Sequence, residues 1–251
     1  MQLTILGSAN AAGVPVYGCD CPACDRARRD AAWRRGPCSA LLETPAGRLL
    51  IDGGQPNLGE RFPPGSLQAI LLTHYHMDHV HGLFPLRWGQ GPSIPVIGPH
   101  DPAGCDDLLK YPGMLDFGAN ASDGQGFALL DLEVLPLALR HSRPALGYRC
   151  RHGDRSLAYL TDTAGLPPAS LATLQAEPPD LLVLDCSYPP RPEGERNHNA
   201  LNDALELHAA IGPGRTLLTH IGHALDSWLM VNPNALPAGV EPARDGQQVK
   251  P

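Results

Sequence analysis

Short apolar runs recur along this chain, and most are closed by a polar or ionisable residue. Segments 2–6, 39–43, 48–52, 69–72, 94–97, 132–138, 156–161, 180–185 and 215–219 read as strands. Apolar residues at helical spacing mark segments 22–32, 79–87, 103–110, 168–176, 200–211 and 223–230. Asn199 or Asn202 is expected to cap the helix carrying Leu201, Leu205 and Leu207. Strands interleaved with helices predict an α/β chain.

What stands at the strand ends changes the picture. Ala69-Ile-Leu-Leu72 has the character of a buried strand, and Thr73-His-Tyr-His-Met-Asp-His-Val-His-Gly82 follows at once. His74, His76, Asp78 and His79 are thus crowded where a strand gives way to a helix, a usual place for a site in an α/β sheet. Imidazole and carboxylate bind Zn²⁺, Mn²⁺ or Fe²⁺ without any thiolate. Four donors exceed what one tetrahedral ion with an open position needs, so two adjacent ions are the simpler reading. The competing reading is a solvated, His-rich turn. His81 falls outside the ligand spacing.

The His-x-His-x-Asp-His run with its following Gly resembles the motif of the metallo-β-lactamase superfamily. Further matches occur in order, each after an apolar run. Asp52 in Leu49-Leu-Ile-Asp-Gly-Gly54 matches a carboxylate that supports the metal histidines from behind. His141, Asp162 in Leu157-Ala-Tyr-Leu-Thr-Asp-Thr163, and His220 in Thr216-Leu-Leu-Thr-His220 match the remaining ligands. The resemblance implies a four-layer αββα sandwich as one domain over residues 1–251. It also assigns His74, His76 and His141 to one ion and Asp78, His79 and His220 to the other, with Asp162 bridging.

Bulk properties narrow the function. The chain has 251 residues, net charge −7, and 27 each of Gly and Pro. That length suits one good core, and the composition suits a loop-rich enzyme. An acidic average disfavours extensive nucleic-acid binding. No apolar run nears the ~18 residues of a membrane span, and Met1-Gln-Leu-Thr-Ile-Leu6 lacks the basic start of a signal peptide. A cytoplasmic location without membrane association is expected.

Seven cysteines without a secretory signal argue against disulfides. Cys38, Cys105, Cys150 and Cys186 are scattered and read as buried thiols. Cys19, Cys21 and Cys24 instead form a C-x-C-x-x-C cluster that can wrap one Zn²⁺ from three sides, with His223 as candidate fourth ligand. A redox triplet is the alternative. This Cys-rich loop, spanning 17–38, narrows the resemblance to the cyclic-phosphate phosphodiesterases of the carbon–phosphorus lyase pathway, which degrades phosphonates. Leu83-Phe-Pro-Leu-Arg-Trp-Gly89, Asp185-Cys-Ser-Tyr-Pro-Pro-Arg191 and Arg196-Asn-His198 resemble that family too.

The narrower resemblance implies hydrolysis of 5-phospho-α-D-ribose 1,2-cyclic phosphate to α-D-ribose 1,5-bisphosphate. It implies two divalent ions, Mn²⁺ ahead of Zn²⁺ or Fe²⁺, one structural Zn²⁺, and a homodimer. Two ions ~3.5–4 Å apart can supply a metal-activated hydroxide and hold both oxygens of an in-line displacement at phosphorus. Asp78 belongs to that catalytic set, and His198 is the expected general acid, since imidazole titrates close to neutral pH. Arg191, Arg196 and Arg143 are candidates for the sugar's second phosphate, because guanidinium forks fit phosphate oxygens. Three rivals compete: a transfer-RNA 3′-processing endonuclease, another cyclic-nucleotide phosphodiesterase, and a non-hydrolytic pyrroloquinoline-quinone biosynthesis protein. The first would bring an RNA-grasping arm, and the last would lack part of the ligand set.

Overall fold

The computed structural model describes residues 1–192 and 196–251. Its strands form two sheets, and side-chain alternation along them explains how the sheets stack. The first sheet contains β1 (Gln2–Gly7), β2 (Ser39–Thr44), β3 (Gly47–Ile51), β4 (Ala69–Leu71), β5 (Ile94–Pro99), β6 (Leu115–Asp116) and β7 (Asn120–Ala121). The second contains β8 (Phe127–Leu129), β9 (Leu132–Ala138), β10 (Leu146–His152), β11 (Arg155–Leu160), β12 (Leu181–Asp185), β13 (Arg215–Thr219) and β14 (Val240–Pro242). Near the C-terminus β15 (Gln248–Val249) returns to pair antiparallel with β1.

Leu49, Ile51, Ala69 and Leu71 point into a core shared with Tyr148, Leu157, Tyr159, Val183 and Leu217 of the opposite sheet. Their neighbours Leu50, Ile70 and Leu72 point the other way, against Leu58, Val80, Leu83 and Leu108. Those four lie on or beside α2 (Leu58–Arg61), α3 (Met77–Val80), α4 (Leu83–Leu86) and α5 (Asp106–Lys110). On the far side Leu182, Leu184 and Leu218 face α6 (Pro168–Ala176), α7 (Leu201–Ile211) and α8 (His223–Val231). A strand with apolar partners on both faces reads as an unbroken apolar run. The result is the expected four-layer αββα sandwich, and Cys38, Cys150 and Cys186 are buried in it while Cys105 is partly exposed.

Each sheet is half antiparallel and half parallel. β3, β4 and β5 run parallel in one, and β11 to β14 in the other. Open parallel strands gather their loops at the carboxyl edge, where ligands bind in such sheets. The register pairs Ile51 with Leu71 and Asp185 with Thr219, so the strands of each half stop level with one another.

Several local expectations differ. The expected helix over 79–87 is two short turns, α3 and α4, separated by His81 and Gly82. A Cβ on Gly82 would lie 1.9 Å from the Gln55 carbonyl oxygen, so backbone packs against backbone there. The helical segment after Cys21 is α1 (Pro22–Arg29) plus a 3-10 turn, Ala31–Trp33. At α7 neither asparagine caps. Asp203 accepts from the Ala200 amide, whereas Asn199 bonds Asp185 and Gly165, and Asn202 accepts from the Arg191 amide.

Candidate metal centre

The expected ligands converge because each follows a strand. His74 to His79 come after β4, His141 after β9, Asp162 after β11 and His220 after β13. Asp52, Asp162 and His220 share a left-handed backbone, with φ of 60°, 59° and 59°. That region is costly for residues with a Cβ, and such strain gathers at functional sites. Here it turns the backbone within two residues of the strand's end.

One cluster brings together His74, His76, His141 and Asp162. Nδ1 of His76 lies 2.9 Å from Nε2 of His74 and 3.0 Å from Nε2 of His141. Asp162 Oδ1 stands 3.8 Å and 3.7 Å from those Nε2 atoms. A second cluster joins Asp78, His79 and His220. Asp78 Oδ2 is 3.5 Å from His79 Nε2 and 3.6 Å from His220 Nε2. Asp162 reaches the same two atoms, Oδ2 at 3.1 Å and Oδ1 at 3.3 Å. Asp162 therefore faces both clusters.

The backs of the rings decide which nitrogens point inward. His79 Nδ1–H donates to buried Asp52 at 2.7 Å, and Thr73 donates to Asp52 from its amide and hydroxyl. The Ser187 hydroxyl donates to the His220 carbonyl and so accepts from His220 Nδ1, both at 2.8 Å. His141 Nδ1–H donates to the Asn197 carbonyl at 3.2 Å. Such partners fix the tautomer and leave Nε2 as a lone pair. Among the described residues, Nε2 of His79 and of His220 are buried with no hydrogen-bond partner. A buried acceptor without a partner is costly unless something takes its lone pair, and the ligand set fits divalent transition ions.

Electrostatics divides the rings in the metal-free protein. Burial pushes His74, His76 and His141 below the usual imidazole value, towards the neutral form that coordinates. Burial would do the same to His79, but Asp162 and then Asp52 override it and raise His79 well above that value. Asp162 is held far below the carboxylate range, despite burial, by His220, His79 and His74. Asp78 is likewise low, because attraction to the His220 and His79 rings outweighs burial.

Beside the second cluster stands His198, whose ring stacks on His220 with centroids 4.6 Å apart. Its Nδ1–H donates to Asp185 Oδ2 at 2.8 Å. Asp185, His198, Asp162 and His220 are close enough to form a further donor group. Asp185 is already occupied, however, accepting from the amides of Thr163 and Asn199 as well as from His198. Sequence reading gave Asp185, Thr73 and Ser187 no role. Asp185 did carry a signal, since it closes the apolar run of β12 as Asp52 and Asp162 follow theirs.

The arginines divide. Arg143 spends its fork on Asp101, at 2.8 Å and 2.7 Å, and on the carbonyls of Tyr75 and Gly104. It thus pins the 101–104 loop to Tyr75, the residue between His74 and His76, in place of the expected phosphate contact. Arg191 lies over the Tyr188 ring, 4.0 Å from its centroid, and Tyr188 is near His198. Arg196 is exposed two residues before His198, and His81 is exposed outside the clusters.

Away from this centre, Cys19, Cys21, Cys24 and His223 form a separate donor group. His223 Nδ1 lies 3.2 Å from Cys19 Sγ and 3.4 Å from Cys21 Sγ. Burial works to raise Cys21, yet bonding to Ser227, Cys24 and His223 brings it down to about 6. Burial pushes Cys24 up to about 12. One low thiol beside a high one suits a site in which a cation completes the deprotonation.

Known proteins place this geometry. Over 241 residues the chain is 32% identical to an octanoyltransferase of Porphyromonas gingivalis, covering 89% of this chain and 46% of that protein. It is 28% identical over 193 residues to a ribonuclease Z of Acaryochloris marina, covering 68% and 55%. The chain thus spans about half the length of these curated relatives. A crystal structure described as a new diphosphatase from the PhnP family superposes with a TM-score of 0.81 at 28% identity, covering 99% of this chain and 96% of the other. Residues 48–221, more than half of the chain, match the family described as the beta-lactamase superfamily domain. With its two-sheet sandwich and its clustered His and Asp donors, the chain belongs to the metallo-β-lactamase superfamily.

Proposed function

We propose that this hydrolase cleaves phosphodiesters, and that its substrate is a small cyclic sugar phosphate, 5-phospho-α-D-ribose 1,2-cyclic phosphate. The observation that carries the reading is His198, an imidazole beside the ligand clusters whose Nδ1–H is given to Asp185. With Nδ1 so engaged, the other ring nitrogen is left to deliver a proton. A sugar alkoxide is a poor leaving group and needs that proton, whereas a β-lactam or thioester places different demands on the site. Two divalent ions held by His74, His76, His141, Asp78, His79, His220 and Asp162 would supply an activated water and neutralise charge on the phosphoryl oxygens.

The chain's own residues do the rest. Asp52, through Thr73 and His79, orients the ligand rings, and Ser187 does so for His220. Arg196 and Arg191, on the segment that delivers His198, are the candidates for a second phosphate; Arg143 holds the neighbouring loop. A second reading rests on the solved relative described as a diphosphatase, which favours a phosphoanhydride substrate for the same site. Parallel turnover assays separate the possibilities: the ribosyl cyclic phosphate, 2′,3′-cyclic nucleotides, bis(p-nitrophenyl) phosphate, precursor transfer RNA and a diphosphate ester. Preference for the diphosphate ester or the RNA would displace the cyclic sugar phosphate.

A further inference from the structure

Beside α1 and α8, the helices that carry Cys24 and His223, lies a cavity of about 160 Å³. It is lined by Arg26, Arg35 and Arg244, with Trp33, Asp226 and Leu236 among the other walls. Asp226 is the carboxylate of that lining and is buried. Arg35 takes both of its oxygens, at 3.2 Å each, and also donates to Ser8 and to the Ala243 carbonyl. Arg26 reaches Asp226 with a single contact of 3.3 Å, while its Nε is buried with no hydrogen-bond partner. Arg244 has no ion pair with any described carboxylate.

Nearby acids do not fill the deficit. Glu241 is engaged by Arg215 and Gln247, and Asp245 by Ser8 and the Gly36 amide. Asp25 pairs with Arg28, and Asp30 accepts from the Ala32 amide. Three guanidiniums and one carboxylate line the cavity itself, in a chain that is acidic on average, while Glu241 and Asp245 stand just outside that lining. Partial burial, and then Arg35, hold Arg244 below the usual arginine value, with Asp226 and Glu241 offsetting part of this, and the residue keeps an exposed side. The Trp33 ring lies under both outer arginines, 3.7 Å from the Arg26 guanidinium carbon and 4.0 Å from that of Arg244. Stacking of this kind fixes the guanidinium plane and leaves its edge donors free.

We infer that this cavity is an anion site that binds one phosphate-type oxyanion between Arg26 and Arg244. Its volume is below the ~300–1,000 Å³ of sites for drug-sized ligands, which suits an oxyanion better than a nucleotide. Planar donors on two sides match tetrahedral oxygens. The location adds a structural consequence. Arg26 lies on α1 two residues after Cys24, and Asp226 on α8 three residues after His223. An anion there would link α1 to the segment after β14, beside the Arg26–Asp226 contact that joins α1 to α8.

The test is calorimetric titration with inorganic phosphate at constant ionic strength, using Asp162→Ala protein so that the main centre contributes little. One saturable site per chain is expected, at least tenfold weaker in Asp162→Ala carrying Arg244→Gln or Arg26→Gln. Arg244→Gln alone should keep its turnover of bis(p-nitrophenyl) phosphate, which reports an intact fold. Competition with ribose 5-phosphate distinguishes sources: equal displacement identifies a phosphomonoester site, and none identifies free phosphate. Absence of saturable binding in Asp162→Ala, equal binding by chloride, or affinity unchanged by both arginine variants would overturn the inference.

Discussion

An imidazole next to a dinuclear donor set is either one more ligand or a proton donor, and its second nitrogen decides which. His198 gives Nδ1–H to an Asp185 already engaged by two backbone amides. His198→Ala should therefore lose about 10²–10⁴-fold in turnover of a sugar phosphodiester with metal content unchanged. On an aryl phosphodiester, whose p-nitrophenolate leaves without a proton, the loss should be far smaller. Equal losses on both substrates would assign His198 to electrostatic stabilisation instead. Asp162 faces both clusters, so Asp162→Ala should abolish turnover while sparing the ion at Cys19, Cys21, Cys24 and His223. Elemental analysis would read this directly, with three ions per chain in the parent protein and the loop ion retained in the variant.

Among elements, the tightest constraint lies where the loop after β3 meets α3. A Cβ on Gly54 would sit 1.7 Å from the carbonyl oxygen of Asp78, and backbone cannot yield as a flexible side chain does. Gly54→Ala should displace the His76–His79 turn, seen as loss of metal from the main centre before any loss of helical circular dichroism. The Cys-rich loop behaves differently, because its donors join α1 to the start of α8. Cys21→Ser should lower thermal stability and loosen residues 17–38 towards proteolysis, since a structural metal contributes directly to folding. Its chemical step with saturating substrate should change much less than in Asp162→Ala.

For the molecule as a whole, the centre lies across the edge of two packed sheets, so its charge state is linked to folding. In metal-free protein His79 and His220 are raised above the usual imidazole value; burial opposes this, and Asp162 is the leading cause of the rise in each. A raised histidine contributes stability that is complete below its unfolded value of about 6.5 and is lost as pH climbs through the folded value. Chelated protein should thus lose melting temperature as pH rises above about 6.5. Metal-loaded protein should show the opposite trend, because coordination needs the unprotonated rings. Parallel melting curves across pH would check both, and coincident curves would contradict the linkage.

Local pattern by itself determined much of this protein. The apolar runs of β1 to β5, β9 and β11 to β13 were legible because strands buried on both faces need apolar residues throughout. The clustering of the His and Asp side chains was legible because they follow such runs, and that of the cysteines because C-x-C-x-x-C is compact. β10 was not, since Arg149 and Arg151 make it read as polar, although Arg149 is largely buried against the outer side of its sheet. Asp185 looked like an ordinary strand residue until the fold set it behind His198. Arg143 read as a candidate phosphate contact, whereas the fold surrounds it with Asp101 and two carbonyls. Residue type and spacing reveal which groups can do chemistry. Which nitrogen points inward, which carboxylate is already occupied and which arginine remains open depend on contacts between residues distant in the chain, and those exist only once the in-register strands bring their ends together.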